Sequence, residues 1–416
     1  MLRLFKALCP LAVALLAGCA AVPHQGQAKV AATTQAPRPA RPVILVSIDG
    51  FRPDYLDRGV TPTLNALAAG GARAAFMRPS FPSITFPNHY TLVTGLRPDH
   101  HGIVANTMED PAMPEPEFQM SNHAAVTDHR WWDEGEPIWV TAERHGIRSG
   151  TMFWPGSEAA IHGVRPRLWK RFDFNLPNAE RVDTVLHWMD KPASRRPGFV
   201  TLYFEKVDHE GHEHGPDSPE VTQAIADVDR AIGRLVDGLR ARHVDADIVI
   251  VSDHGMAAKS VDRGIRLDSI TAPANFHLVT HGPVAEMDAT PGKEQELADA
   301  LLKPQDHMQC WRKDQIPARF AYGHNPRVPA FVCLAQVGWY ISADGADLKD
   351  GGDHGYDNAA PEMHATFIAT GPSIRPGTVL PPFDNVDVYP FVMRLLGLSP
   401  LPSDGDIAPL TPALRE

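Results

Sequence analysis

The sequence predicts an α/β fold: an open, mostly parallel sheet flanked by helices, with an inserted α+β subdomain over about residues 256–350. Three observations carry that expectation. The apolar runs Val43–Ile48, Phe199–Phe204 and Ile248–Val251 are almost continuous, as strands buried on both faces require. Each leads within a few residues into an aspartate, namely Asp49, Asp208 and Asp253. Between the second and third runs, Val221, Ile225, Val228, Ile232, Leu235 and Leu239 recur at helical spacing, with Ser218 placed to cap and Pro219 at the first helical position. Strand, helix, strand is the parallel crossover unit.

At the amino end, Arg3 and Lys6 flank the start of an apolar stretch, Ala7 to Ala17, that is too short to span a bilayer. The tetrapeptide Leu16-Ala17-Gly18-Cys19 resembles the bacterial lipoprotein signal. That resemblance implies removal of residues 1–18 and a lipid on Cys19. With Ala20 rather than Asp next in line, it also implies an exported chain anchored at the outer membrane and facing the periplasm. A plain secretory signal with a chance cysteine is the alternative. Residues 19–41, rich in Ala, Pro, Thr and Gln, read as a flexible tether, and 42–416 as the globular body. Residues 256–350 break the strand and helix rhythm with scattered apolar runs and several prolines. The alternation resumes with a strand at Ala365–Ala369 and a helix over Val386–Leu398. Cys310 and Cys333 could pair in an oxidising compartment or stay as two separately buried thiols.

A composition of 43% hydrophobic and 21% charged residues supports a sizeable core and excludes wholesale disorder. The formal net charge of -11 argues against a nucleic-acid polymer as partner, because such binders neutralise phosphates with Lys and Arg. Any affinity for phosphate must be local.

Functional groups in open parallel sheets collect beyond the carboxyl ends of the strands. One aspartate there is usually a turn former or helix cap. Here Asp208 is followed by His212, Asp253 by His254, and a further Asp-His pair ends in His354. With Asp49 these make six nitrogen and oxygen ligands of the kind zinc accepts when thiolates are absent. Six suffice for two ions, and two adjacent divalent ions can clamp an in-line displacement at phosphorus. A nucleophile is offered by Thr85: Pro87 suits a helix's first turn and Gly95 its end, which puts Thr85 and the Phe86 amide at a helix N-terminus, where phosphate is attracted. Taken alone, Thr85 could equally be the cap of that helix.

Six separated motifs, in order along nearly the whole body, resemble the nucleotide pyrophosphatase/phosphodiesterase family of the alkaline phosphatase superfamily. They are Asp49-Gly50-Phe51-Arg52, Thr85-Phe86-Pro87-Asn88-His89, Trp154-Pro155-Gly156-Ser157-Glu158, Asp208 with Gly211-His212, Asp253-His254-Gly255-Met256 and Gly352-Asp353-His354-Gly355. The resemblance implies an alkaline-phosphatase-like fold and a phosphodiesterase that releases nucleoside 5'-monophosphates. It implies two Zn2+ per chain, one on Asp208, His212 and His354, the other on Asp49, Asp253, His254 and the Thr85 oxygen. Thr85 would carry a covalent intermediate, and Asn106 with the Phe86 amide would hold the phosphate. Phe86 and Phe172, with Tyr203 nearby, would take the base. Ile84 stands where many relatives carry Lys, and Lys206-Val207 where many have Glu-Pro, which touches substrate preference. Further histidines near the motifs, His89 and His214 among them, read as orienting or structural, with His214 the best placed of them to touch substrate. A phosphomonoesterase, a lipid-headgroup phosphodiesterase and a non-catalytic binding module are the competing readings.

Overall fold

The computed structural model describes residues 41–113 and 117–415; the signal segment, Cys19 and nearly all of the tether lie outside them. In chain order, β1 (Val43–Ile48) is followed by α1 (Pro62–Gly70), β2 (Ala72–Ala74), α2 (Thr85–Thr94), β3 (Ser149–Met152), β4 (Leu168–Trp169) and α3 (Asn178–Met189). Next come β5 (Phe199–Phe204), α4 (Lys206–His214), α5 (Pro219–Ala241) and β6 (Asp247–Val251). After the strands of residues 276–335, the chain returns through a strand at Phe367–Thr370, a short one at Thr378–Leu380 and a helix at Val388–Leu395.

All three apolar runs form neighbouring parallel strands. β1 lies between β5 and β6, with Val43 opposite both Phe199 and Asp247. Side chains alternate across a strand, so β1 feeds two cores. Val43 and Leu45 pack with Leu92, Val93, Phe391 and Val392 on one face. Ile44, Val46 and Ile48 pack with Val182, Val185, Val228 and Ile232 on the other. Each such side chain, fully buried, contributes roughly 1.5–3 kcal/mol, which is why β1 carries no polar residue except Ser47. The α5 helix begins as its sequence implies: the Ser218 hydroxyl accepts from the Val221 amide at 3.2 Å.

Residues 276–335 build a separate four-stranded antiparallel sheet from β7 (Phe276–Thr280), β8 (Val284–Ala289), β9 (Met308–Arg312) and β10 (Phe331–Ala335), in the order β7-β8-β10-β9. It has its own core of Ala285, Met287, Leu297, Leu301 and Phe331. Cys310 and Cys333 stand opposite each other on β9 and β10 and form a disulfide, so of the two alternatives left open by the sequence the pairing is the one adopted.

The strand expected at Ala365–Ala369 is Phe367–Thr370, here β11, and it joins the main sheet antiparallel to β6. Its direction follows from where the chain comes back. The Gly255 amide donates to the Met363 carbonyl at 3.1 Å, so the chain re-enters at the carboxyl edge of the sheet and must run backwards through it. β12 (Thr378–Leu380) then pairs parallel to β2, giving the order β12-β2-β11-β6-β1-β5-β3-β4. A sheet with one reversed strand and helices on both faces remains the mostly parallel α/β class. The last helix is shorter than the expected Val386–Leu398, because Asn385–Asp387 forms a separate tight turn ahead of it.

Replacing the α5 cap, Ser218→Ala, should lower the unfolding free energy by about 1 kcal/mol without moving the strands. Urea denaturation followed by circular dichroism measures it.

Candidate metal centre and active site

The three strand-end aspartates meet because β1, β5 and β6 are in register. The Asp49 amide continues the ladder to the Phe204 carbonyl at 2.9 Å, and the Gly50 amide donates to Asp253 Oδ1 at 3.2 Å. Gly50 has φ +65, and a Cβ there would sit 3.1 Å from the Asp208 Cβ, so only glycine lets the β1 turn lie against Asp208. Asp208 and His212 are one turn apart on α4 and share a face.

Two adjoining clusters result. In the first, His254 Nε2 lies 2.9 Å from Asp253 Oδ2, 3.4 Å from Asp49 Oδ1 and 3.3 Å from Thr85 Oγ. In the second, His354 Nε2 lies 3.0 Å from His212 Nε2 and 3.5 Å from Asp208 Oδ1, while His212 Nε2 is 3.4 Å from Asp208 Oδ2. The clusters touch through the stacked rings of His254 and His354, whose centroids are 3.5 Å apart.

Each of these imidazoles spends its other nitrogen on a backbone carbonyl. His254 Nδ1 donates to Gly255, His354 Nδ1 to Ser83 and His212 Nδ1 to Gly352, at 2.9, 3.0 and 3.1 Å. That fixes the tautomer with an Nε2 lone pair pointing into the cluster, the arrangement of a metal-ligating histidine. Asp49 Oδ1, Asp208 Oδ1 and Asp253 Oδ2 are buried and without a hydrogen-bond partner. Lone pairs gathered in this way, out of water, call for cations. The donor set of carboxylate oxygens and imidazole nitrogens fits zinc.

The protonation equilibria express the same strain. Burial pushes the Asp49 carboxyl well above the usual range, aided by the charges of Asp253 and Asp208. Burial also raises Asp208. Asp253 is buried as well, but His254 and His89 outweigh the burial and hold it well below its ordinary value. Burial and the neighbouring His254 and His212 push His354 well down, leaving it neutral and free to coordinate. A bound cation would favour the ionised form of all three carboxylates.

Thr85 opens α2, and the helix ends at Gly95, which has φ +67 and bonds to the Thr91 carbonyl. The Phe86 amide donates to Asn106 Oδ1 at 2.9 Å. The amide expected to face phosphate is therefore engaged by Asn106 in this structure, and the Asn106 Nδ2 group is the remaining donor of the pair. Beside Thr85 opens a cavity of about 450 Å3 lined by Asp49, Phe86, Phe172, Tyr203, Asp208 and His212 among others. Phe172, 44% exposed, and Phe174, at 43%, form the rim of this lining. Tyr203 lines the cavity as well and has a second role. Its ring is buried and its hydroxyl donates to Asp49 Oδ2 at 2.5 Å, which orients Asp49. Ile84 and Lys206 do not line this cavity, and His209 lines it where His214 does not; His214 faces Glu210 at 3.4 Å.

Two residues carry more than their sequence context shows. His89 accepts from the Ser47 hydroxyl at 2.8 Å, donates to the Thr85 carbonyl at 2.9 Å and lies 3.2 Å from Asp253 Oδ2, tying β1, the Thr85 backbone and Asp253 together. The motif Thr85-Phe86-Pro87-Asn88-His89 was the signal, since position i+4 faces the helix start. Arg181 is fully buried and pairs with Glu205. It also donates to the carbonyls of Leu176 and Tyr203, joining the aromatic rim to the end of β5. Nothing local to Arg181 announces this.

A sequence profile of type I phosphodiesterase / nucleotide pyrophosphatase matches residues 43–357. An uncharacterised pyrophosphatase/phosphodiesterase of Schizosaccharomyces pombe is 39% identical over 90% of this chain and 80% of its own length. A bis(5'-adenosyl)-triphosphatase of Xenopus laevis is 36% identical over 88% of this chain and 80% of its own. Ectonucleotide pyrophosphatase/phosphodiesterase family member 1 of Mus musculus is 36% identical over 90% of this chain, which spans only 43% of that longer protein. Among solved structures, the murine ectonucleotide pyrophosphatase/phosphodiesterase 5, an inactive threonine-to-alanine variant in complex with AMP, superposes with a TM-score of 0.87 at 36% identity, over 90% of this chain and all of that one. The chain therefore belongs to the type I phosphodiesterase / nucleotide pyrophosphatase family, in the alkaline phosphatase superfamily.

Proposed function

We propose that this chain is a two-zinc phosphodiesterase that cleaves nucleotide phosphodiester and pyrophosphate bonds and releases nucleoside 5'-monophosphates through a covalent threonine intermediate. The observation that carries the reading is the Thr85 hydroxyl, set at a helix N-terminus 3.3 Å from His254 Nε2, at the edge of a buried cluster of unpartnered carboxylate oxygens and imidazole lone pairs. Asp49, Asp253 and His254 would hold one ion beside Thr85, and Asp208, His212 and His354 the other. Zinc there supplies Lewis acidity, lowering the pKa of hydroxyl groups and neutralising charge on phosphate oxygens.

The residues of the chain then divide the work. Thr85 Oγ forms a bond to phosphorus as the bond to the leaving oxygen breaks, and a water oxygen later takes the place of Thr85 Oγ. The α2 N-terminus faces the anion with its dipole. Asn106 Nδ2 stabilises charge growing on a non-bridging oxygen, and its Oδ1 keeps the Phe86 amide in place. His89 holds the Thr85 carbonyl and Asp253 in a fixed relation, which limits the search for attack geometry. The nucleoside lies in the cavity between Phe86 and Phe172, whose volume of about 450 Å3 is in the range of small-molecule sites. Among the described lining residues, Arg171 is the one that offers a guanidinium or ammonium group, and it is exposed. A dianionic terminal monoester would find little there to offset its additional charge, so a diester is favoured over a monoester. The structural relative in complex with AMP and the relative named for a bis-adenosyl triphosphate support a nucleotide as the substrate. We further propose export and anchoring through a lipid on Cys19, which labelling with a fatty acid tests by its loss in Cys19→Ala.

The zinc-loaded protein should hydrolyse bis(p-nitrophenyl) phosphate and p-nitrophenyl-TMP well above p-nitrophenyl phosphate; the reverse order, or a preference for glycerophosphocholine, would overturn the nucleotide diesterase reading. Thr85→Ala should cut diester turnover by on the order of a thousandfold or more while metal analysis still finds zinc. Asn106→Ala should lower kcat by roughly a hundredfold with KM changed far less. Chelation should lower Tm as well as activity, because the three carboxylates lose their counter-charge, and added zinc should restore both in a concentration-dependent way.

A further inference from the structure

The edge of the main sheet opposite the metal centre is where its parallel strands begin. Val43 is paired with Phe199 and Asp247, Ser149 with Phe199, and Thr370 with Ile248. The residues just before β1, β3 and β5, and just after β11, therefore share that edge. They are arginine-rich: Arg41, Arg148, Arg195 and Arg196 precede strands, and Arg375 follows β11. Arg415 is tied to the same place, its amide donating to Ser373 and its Nε to the Ile374 carbonyl. With Arg394, Arg375 and Arg415 line a shallow basin of about 670 Å3 whose other lining residues, Ser373 and Thr411 among them, include no carboxylate among the described residues.

Among the described residues, none of these guanidiniums forms an ion pair, whereas Arg240 and Arg242 close by are matched by Asp237 and Asp190. The carboxylates of this edge are mostly spent. Asp247 is buried and takes the Ser373 amide and hydroxyl at 2.9 and 2.7 Å, which leaves Asp245 as the exposed acid of the connection into β6. In a chain of net charge -11, a concentration of unmatched arginines on one edge is an inversion of the overall sign.

We infer that this arginine edge, with the basin of Arg375, Arg394 and Arg415 at its β11 end, docks on an anionic phospholipid surface and turns the metal centre away from it. Lipid headgroup phosphates suit exposed guanidiniums, which bind phosphate in a fork geometry. Screening confines the interaction to charges within about 8 Å of the surface at physiological salt, so the acidic remainder of the chain does not cancel it. The place where the body begins agrees. The Pro42 carbonyl accepts from the Asp247 amide at 3.0 Å, and Asp247 in turn holds Ser373, so the chain leaves the body beside the basin. With the proposed lipid on Cys19, residues 20–41, whose composition reads as a flexible tether, would reach about 25 Å and bring this edge to the surface first. Strands about 20 Å long then separate the membrane from the metal centre, whose mouth opens toward solvent and soluble nucleotides.

The test uses the full chain with Cys19→Ala, so that no acyl chain contributes, against the same chain with Arg375→Glu, Arg394→Glu and Arg415→Glu added. Both are sedimented with vesicles of phosphatidylcholine alone and of phosphatidylcholine with phosphatidylglycerol in equal parts. The expected result is binding to the phosphatidylglycerol vesicles that weakens by roughly tenfold to a hundredfold in the triple variant and fades with added salt. Residues 1–18 are common to both chains, so they cancel in the comparison. Near-ultraviolet circular dichroism checks the fold, and the milder Arg→Gln triple variant replaces the charge reversal should that one not fold. Equal binding by parent and variant, or equal binding to both vesicle types, overturns the proposal. Failure of both chains to hydrolyse a diester would instead count against the proposed activity, and the vesicle result would stand by itself.

Discussion

Negative charge that cannot be left in water's absence is the constraint around which this molecule is arranged. Three strand ends bring Asp49, Asp208 and Asp253 into one buried space, and each retains a carboxylate oxygen with no hydrogen-bond partner. Without a counter-charge such a cluster opposes folding, as the raised protonation of Asp49 and Asp208 shows. A proton on His254 Nε2 relieves part of it and keeps Asp253 ionised, and a bound cation would take the place of that proton. The remainder is a demand for cations, and the Nε2 lone pairs of His212, His254 and His354 are fixed by backbone carbonyls to serve the same demand. Stability and chemistry are thus asked of the same atoms.

Much of the rest serves to hold that cluster in shape. Parallel register places the strand ends side by side, and Gly50 permits the approach of β1 to Asp208. Tyr203 orients Asp49, and His89 links the Thr85 backbone to Asp253. The antiparallel sheet of residues 276–335 leaves from the end of β6 and returns beside Gly255. That return sets both the position of His354 against His254 and the reversed direction of β11. The placement of a candidate ligand and a fold irregularity have one cause.

The two edges of the sheet differ in sign. The carboxyl edge gathers aspartates and histidines into the candidate metal centre, and the opposite edge gathers arginines that have no ion-pair partner among the described residues. A mostly parallel sheet makes this separation natural, because its parallel strands start on one side and end on the other, while the reversed β11 ends on the side of the starts and leads there into Arg375. Antiparallel strands would have mixed the two populations.

The α/β class, the strands at 43–48, 199–204 and 248–251, the α5 helix with its Ser218 cap, and the ligand candidates could all be read from the chain. Each is written in a short segment, as a run of apolar residues, a helical period, a cap, or an aspartate one or four positions from a histidine. The pairing of Cys310 with Cys333, the reversal of β11, the use of the Tyr203 hydroxyl on Asp49, the engagement of the Phe86 amide by Asn106 and the buried Arg181–Glu205 pair could not. These depend on the register between distant segments, and a one-residue slip would change every one of them without altering any local pattern. The sequence by itself therefore determined which side chains could do chemistry and at which strand ends they stand. Only the tertiary structure decided which of their atoms face one another, because the balance of buried charge is set by contacts between residues far apart in the chain.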